Sequence, residues 1–232
     1  MALVGKLAER GKFISFEGLD GCGKSTQLEK LASSLGLLGV PVETTREPGG
    51  TPIGERIRGL LLDSRTHGLH SSAELAMMVA SRAQLTSEVI LPALKMGKWV
   101  LCDRYVDSTE AYQGAGRQLG SERVLELHRL LCHDLWPDLT ILMDSDAGAS
   151  VQRARLRNRF ANGLDENRFE KESRAFFNRV HEGFLEIARR QPQRVVLIDA
   201  RPPINIVHEE IVRVVNERLF VSGTASAAPV QG

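Results

Sequence analysis

Residues 18–25 of the chain read Gly18-Leu19-Asp20-Gly21-Cys22-Gly23-Lys24-Ser25, with Thr26 next, and so satisfy GxxxxGK[ST] in full. Glycines at this spacing let the backbone wrap tightly, so that several N–H groups converge on phosphate oxygens. Lys24 is then expected to reach the β- and γ-phosphates and Ser25 to hold Mg²⁺. The run Phe13-Ile14-Ser15-Phe16-Glu17 before the loop reads as a short buried strand. Leu28, Leu31, Leu35 and Leu38 after it share one helical face. A helix starting at Lys24 adds its N-terminal partial charge to the cradle. Cys22 reads as a small residue tolerated inside the loop.

The same alternation continues outward. Gly39 and Pro41 close the first helix, and Val42–Thr45 is a weaker second strand. Thr51-Pro52 has the form of an N-cap followed by proline at the first helical position, with the helix running to about Leu62. Ser71-Ser72-Ala73-Glu74 matches a capping box opening a longer helix towards Lys95, with a kink expected at Pro92. Trp99–Asp103, Leu139–Asp144 and Arg194–Asp199 are apolar runs ending in carboxylates, the pattern of central parallel strands. Further helices are expected over Ser121–Leu131, Ala147–Arg157, Arg168–Gln191 and Ile204–Leu219. Five strands separated by helices predict an α/β fold, a three-layer α/β/α sandwich on a five-stranded parallel sheet, with a helical lid. One domain is expected over residues 1–220, its lid at about 153–168, and residues 221–232 read as a disordered tail.

Composition narrows the function. The chain has 232 residues and a formal net charge of +1, which gives no basic field for nucleic acid or a membrane surface. No run approaches the ~20 apolar residues of a membrane span, and the N-terminus lacks a signal-peptide core. Its three cysteines, Cys22, Cys102 and Cys132, have no metal-ligand spacing and read as reduced thiols of a cytoplasmic protein. Asp103, at a strand end and followed by Arg104, stands where the Walker-B, Mg²⁺-side carboxylate of a P-loop protein belongs. No guanine-reading NKxD occurs. The basic stretch from Arg153 through Arg155, Arg157 and Arg159 suits a segment that closes over two anionic ligands and excludes water.

Several segments together resemble bacterial thymidylate kinases, across roughly Lys12 to Asn216. They are residues 16–26, Arg46-Glu47-Pro48-Gly49-Gly50-Thr51-Pro52, Ser81-Arg82-Ala83-Gln84, Asp103-Arg104-Tyr105, Ser108-Thr109-Glu110-Ala111-Tyr112-Gln113-Gly114, Pro137-Asp138-Leu139-Thr140 and the arginine-rich stretch. The resemblance implies an ATP- and Mg²⁺-dependent kinase that phosphorylates dTMP in dTTP synthesis, acting as a homodimer. It implies that Arg104 clamps the acceptor phosphate with Arg46 beside it, and that Arg82 reads a thymine carbonyl with Gln84 close by. Tyr112 would pack on the sugar, Ser108 and Gln113 would meet the base edge, and Asp20 would meet the sugar 3′-hydroxyl or waters on the nearby phosphate. Glu47 and Pro48 belong to the same acceptor set. Gly21 stands where some members carry a catalytic arginine, so the lid type is implied, with Arg157 or Arg159 as the donor. Met78 stands where the family commonly stacks a phenylalanine on thymine. The lid is longer than usual, Asn167 replaces an expected aspartate, and Glu170 is a metal-side candidate. The alternatives are another deoxynucleotide or deoxynucleoside kinase, or a P-loop nucleotide-binding regulator with little turnover.

Overall fold

The computed structural model describes residues 10–146, 148 and 168–220. Five strands, β1 (Phe13–Glu17), β2 (Val42–Arg46), β3 (Trp99–Asp103), β4 (Leu139–Asp144) and β5 (Val195–Asp199), form one parallel sheet in the order β2-β3-β1-β4-β5. The order follows from composition. The continuously apolar β1 and β4 have nearly every residue buried and lie inside the sheet, whereas the more polar β2 lies at an edge. Polar atoms inside the sheet are paired: the Ser15 and Thr140 hydroxyls meet at 2.7 Å.

On one face α1 (Lys24–Leu37) packs with the C-terminal helix, here α8 (Ile204–Val215), over Ile14, Phe16, Leu101 and Ile141. Around the other face lie α2 (Pro52–Leu62), α3 (Ser71–Leu85), α4 (Leu91–Lys95), α5 (Val106–Thr109), α6 (Ser121–Leu131) and α7 (Arg174–Arg190). Thr51 caps α2 as expected, its hydroxyl accepting from the Gly54 N–H at 2.9 Å.

The structure corrects four expectations. The cap of α3 is His70, whose Nδ1 accepts from the Ser72 N–H, and Glu74 turns inward instead of closing a capping box. Its interior partners, described below, outcompete the reciprocal bond of that motif. The irregularity before Lys95 is a π-helical turn over Thr86–Ile90, one turn ahead of Pro92, which itself sits in the first turn of α4 where its missing N–H costs nothing. The segment from Arg168 opens with a 3₁₀ turn, Phe169–Lys171, and α7 begins only at Arg174, capped by the Ser173 hydroxyl on the Phe176 N–H. A helical segment unforeseen from sequence, α5 with a π-helical continuation over Glu110–Gly116, follows β3 directly. Its Tyr-Gln-Gly-Ala-Gly composition gives little helical signal, and its stability comes from packing against α7. Apart from residue 148, the expected helix at Ala147–Arg157 lies outside the described residues, as do the lid at 153–168 up to Arg168 and the tail at 221–232.

Candidate active site

The strand ends of β1 and β3 build the floor. Gly18, Gly21 and Gly23 adopt positive φ in the loop after β1. A Cβ on Gly18 would stand 2.5 Å from the Met143 carbonyl oxygen, so the loop can seat against β4 only with glycine there. Lys24 Nζ lies across the loop, donating to the carbonyls of Gly18 at 3.1 Å and Leu19 at 2.9 Å. Ser25 Oγ donates to Asp103 Oδ2 at 2.7 Å. Lys24, Ser25, Thr26 and Asp103 share a cavity of about 360 Å³ with Asp20, Gly21, Gly23 and Arg46. Gly18, Leu19 and Cys22 complete the loop around them, Cys22 buried within it.

A second cavity, of about 130 Å³, adjoins the first. Asp20, Glu47, Arg58 and Arg104 line both. Arg104 is aimed by its backbone, which takes φ +71° at the tip of β3 with its N–H on the Phe16 carbonyl. Its guanidinium donates to Ser108 Oγ at 2.8 Å, pairs with Asp20 Oδ1 at 2.8 Å, and lies over the Tyr112 ring. Ser108 in turn donates to Glu17 Oε2 at 2.5 Å. Burial pushes the Glu17 carboxyl up to about 8, with the Asp107 charge adding to it and Ser108 and Arg104 opposing.

Arg82 is 2 % exposed and enters from α3. It donates from Nε to Glu47 Oε2 at 2.7 Å and from Nη2 to the Tyr105 carbonyl and Thr109 Oγ1. Its Nη1 and the Oε1 of Glu47 have no hydrogen-bond partner among the described residues. Burial raises the Glu47 carboxyl to about 7 although Arg82 pulls it down. Orphaned buried polar atoms in a cavity wall are unfavourable until a ligand satisfies them. Met78 lines this cavity and packs with the aromatic cluster of Tyr112, Phe169 and Phe176.

The expected acceptor residues Glu47, Pro48, Met78, Arg82, Arg104, Ser108, Tyr112 and Gln113 thus share one cavity. Two stand elsewhere. Arg46 faces the phosphate-loop cavity and bonds Glu55, while Gln84 bonds Glu88 on its own helical run and does not line the acceptor cavity. Arg157, Arg159 and Asn167, and the side chain of Glu170, lie outside the described residues. Sequence reading missed Arg58, Leu62, Tyr105, Thr109 and Phe169 as lining residues. Thr109 lay inside the quoted Ser108–Gly114 segment, but with no helical signal over Val106–Gly116 nothing in the sequence marked it as facing the cavity.

Mg²⁺ favours hard oxygen ligands and keeps several waters, so it needs few protein groups. The Ser25 hydroxyl and Asp103 carboxylate, in contact at the mouth of the loop, fit that demand. No cluster of three or more His, Cys, Asp or Glu suited to a metal occurs among the described residues.

A phosphate-binding loop at the carboxyl ends of a parallel sheet, opening into a second cavity walled by arginines, defines a P-loop kinase with two adjoining cavities at its strand ends. The family model described as thymidylate kinase matches residues 16–211. A thymidylate kinase of Pelobacter propionicus is 46% identical over 210 residues, covering 90% of this chain and 96% of the relative. One from Trichlorobacter lovleyi is 48% identical over 188 residues, covering 81% and 89%. The crystal structure of thymidylate kinase from Ehrlichia chaffeensis matches with a TM-score of 0.72 at 34% identity, covering 89% of this chain and 99% of that one. The chain belongs to the thymidylate kinase family.

Proposed function

We propose that the wall shared by the two cavities is where phosphoryl transfer takes place, from ATP on the loop side to dTMP on the Arg82 side. The reaction is ATP + dTMP giving ADP + dTDP, with no covalent intermediate. The observation that carries this reading is that Asp20, Glu47, Arg58 and Arg104 line both cavities. A phosphate on the acceptor would there meet the γ-phosphate of the donor.

The residues divide the work. Lys24 and the loop N–H groups bind the donor phosphates once Nζ leaves the Gly18 and Leu19 carbonyls. Ser25 and Asp103 would hold Mg²⁺, which would supply positive charge against that of the donor phosphates. Arg104, braced by Asp20 and Ser108, clamps the acceptor phosphate and sets the attacking oxygen in line. Arg82, locked by Glu47, offers its orphaned Nη1 to a base carbonyl. Tyr112 closes against the sugar, and its hydroxyl also bonds Asp20. With Gly21 in the loop, transition-state charge is answered by Arg157 or Arg159.

The same reading makes residues 1–220 one kinase domain and the working unit a homodimer in the cytoplasm. Among the described residues no helix is long and apolar enough to cross a membrane. ADP release coupled to a reporter tests the assignment. With ATP and Mg²⁺, release that depends on dTMP is expected; turnover indifferent to added acceptor would make the chain an ATPase or nucleotide sensor instead.

A further inference from the structure

Glu74 lies in the first turn of α3, fully buried. Its Oε1 accepts from Gln113 Nε2 at 2.8 Å and from Arg117 Nε at 3.1 Å. Its Oε2 accepts from Arg117 Nη2 at 3.1 Å and lies 2.8 Å from Arg168 Nη2. Both guanidinium groups also pack on the Phe169 ring, at 5.6 Å and 4.4 Å from its centroid. Arg117 Nη1 reaches on to Glu172 at 2.7 Å. One carboxylate therefore ties α3, the π-helical turn after α5 and the 3₁₀ turn before α7. Gln113 and Phe169, fixed by it, line the acceptor cavity.

Burial works against ionisation of Glu74, yet the bonds from Arg117 and Gln113 and the Arg117 and Arg168 charges hold its carboxyl below the usual range. An ionised carboxylate accepts hydrogen bonds and donates none. Gln113 must therefore turn its –NH₂ to Glu74, which leaves Oε1 as the amide group available to the cavity. An acceptor at that point complements the N3–H of thymine or uracil. It opposes the N3 lone pair of cytosine, just as the Arg82 donor opposes the cytosine 4-amino group.

We infer that Glu74 is a positioning residue for base selectivity: by fixing the Gln113 amide and anchoring Phe169, it makes the acceptor cavity admit pyrimidines carrying N3–H and reject cytosine. This rests on the dTMP reading above and names the residue that enforces its base preference.

The test compares kcat/KM for dTMP and dCMP in the wild-type enzyme, Glu74→Gln, Gln113→Leu and the double variant. A glutamine at 74 can accept or donate, so it frees the Gln113 amide to turn over. The dTMP:dCMP ratio is expected to fall about 10-fold or more in each single variant, with KM for ATP unchanged and the double variant no worse than Gln113→Leu. A purely structural Glu74 would lower both substrates together, and an unchanged ratio in Gln113→Leu or Glu74→Gln overturns the inference. Should Glu74→Gln not fold, wild-type enzyme and N3-methyl-dTMP decide: affinity at least about 10-fold below dTMP supports it, and equal affinity overturns it. A wild-type enzyme that ignores dTMP fails the functional reading itself, a separate outcome.

Discussion

Arg104 holds a left-handed backbone, φ +71°, that costs a non-glycine residue roughly 1 kcal/mol or more. The surroundings enforce it: the N–H is tied to Phe16, and the side chain is braced by Asp20, Ser108 and Tyr112. Such a fork presents two parallel donors that a lysine cannot. Arg104→Lys should lower kcat/KM for dTMP roughly 10²-fold, measured at saturating ATP; a loss of under threefold would remove Arg104 from the clamp. Met78 is a gentler case. Replacing the thioether by an aromatic ring adds about 0.5–1.5 kcal/mol of ring–ring contact where geometry allows. Met78→Phe is therefore expected to lower KM for dTMP several-fold without altering KM for ATP, and steady-state titrations of both substrates would reveal it. These residues were legible because their neighbours in sequence are also their neighbours in function. Glu74 was not: with Ser71 three residues before it, it satisfies a surface motif, and only tertiary contacts from Arg117 and Arg168 show that it faces inward.

At the level of elements, legibility followed the strength of the local signal. The loop, the cap at Thr51 and every strand could be read from periodicity, glycine placement and terminal carboxylates. Removing the Thr51 cap leaves the Gly54 N–H without its partner, so Thr51→Ala should cost about 1 kcal/mol in denaturant unfolding. An unchanged midpoint would show that the Pro52 start of α2 suffices alone. The element from Val106 to Gly116 was invisible because glycine-rich composition argues against helix and only burial against α7 overrules it. It carries Ser108, Thr109, Tyr112 and Gln113, so the acceptor wall could be listed from motifs but not built. Phe169 escaped for a related reason. It reaches the cavity because Arg168 is anchored to the carbonyls of Leu61 and Leu62, a contact spanning more than a hundred residues of chain.

Across the whole molecule, buried carboxyls at the site set the pH dependence of stability. Burial raises Glu17 from 4.5 to about 8 and Glu47 from 4.5 to about 7. Both keep their protons in the folded chain where the unfolded chain has released them. Their contribution is thus full below pH 4.5 and is lost as pH rises through 7 and 8. His128 runs the other way: burial lowers it from 6.5 to about 4, so stability rises with pH between 4 and 6.5 and His128 causes no further change above that. Between pH 6.5 and 8 the glutamates dominate. The free energy of unfolding should fall across that interval, and Glu17→Gln should flatten the fall; urea titrations at several pH values test it, and a rise with pH would contradict it. The fold was legible in outline because the parallel sheet follows from buried strands spaced by helices. The convergence of two cavities on Asp20 and Arg104 was not, since it depends on how β1, β3 and α2 are set side by side.

The most direct test of the central claim is ADP release with ATP and Mg²⁺ and one acceptor at a time: dTMP, dUMP, dCMP, dGMP, thymidine or none. A cavity with the Arg82 donor, the Gln113 acceptor and the Arg104 clamp predicts dTMP as the preferred acceptor. Thymidine, lacking the phosphate, should turn over little, and release without acceptor should be negligible. Equal rates on several bases, or turnover of thymidine ahead of dTMP, would contradict the account.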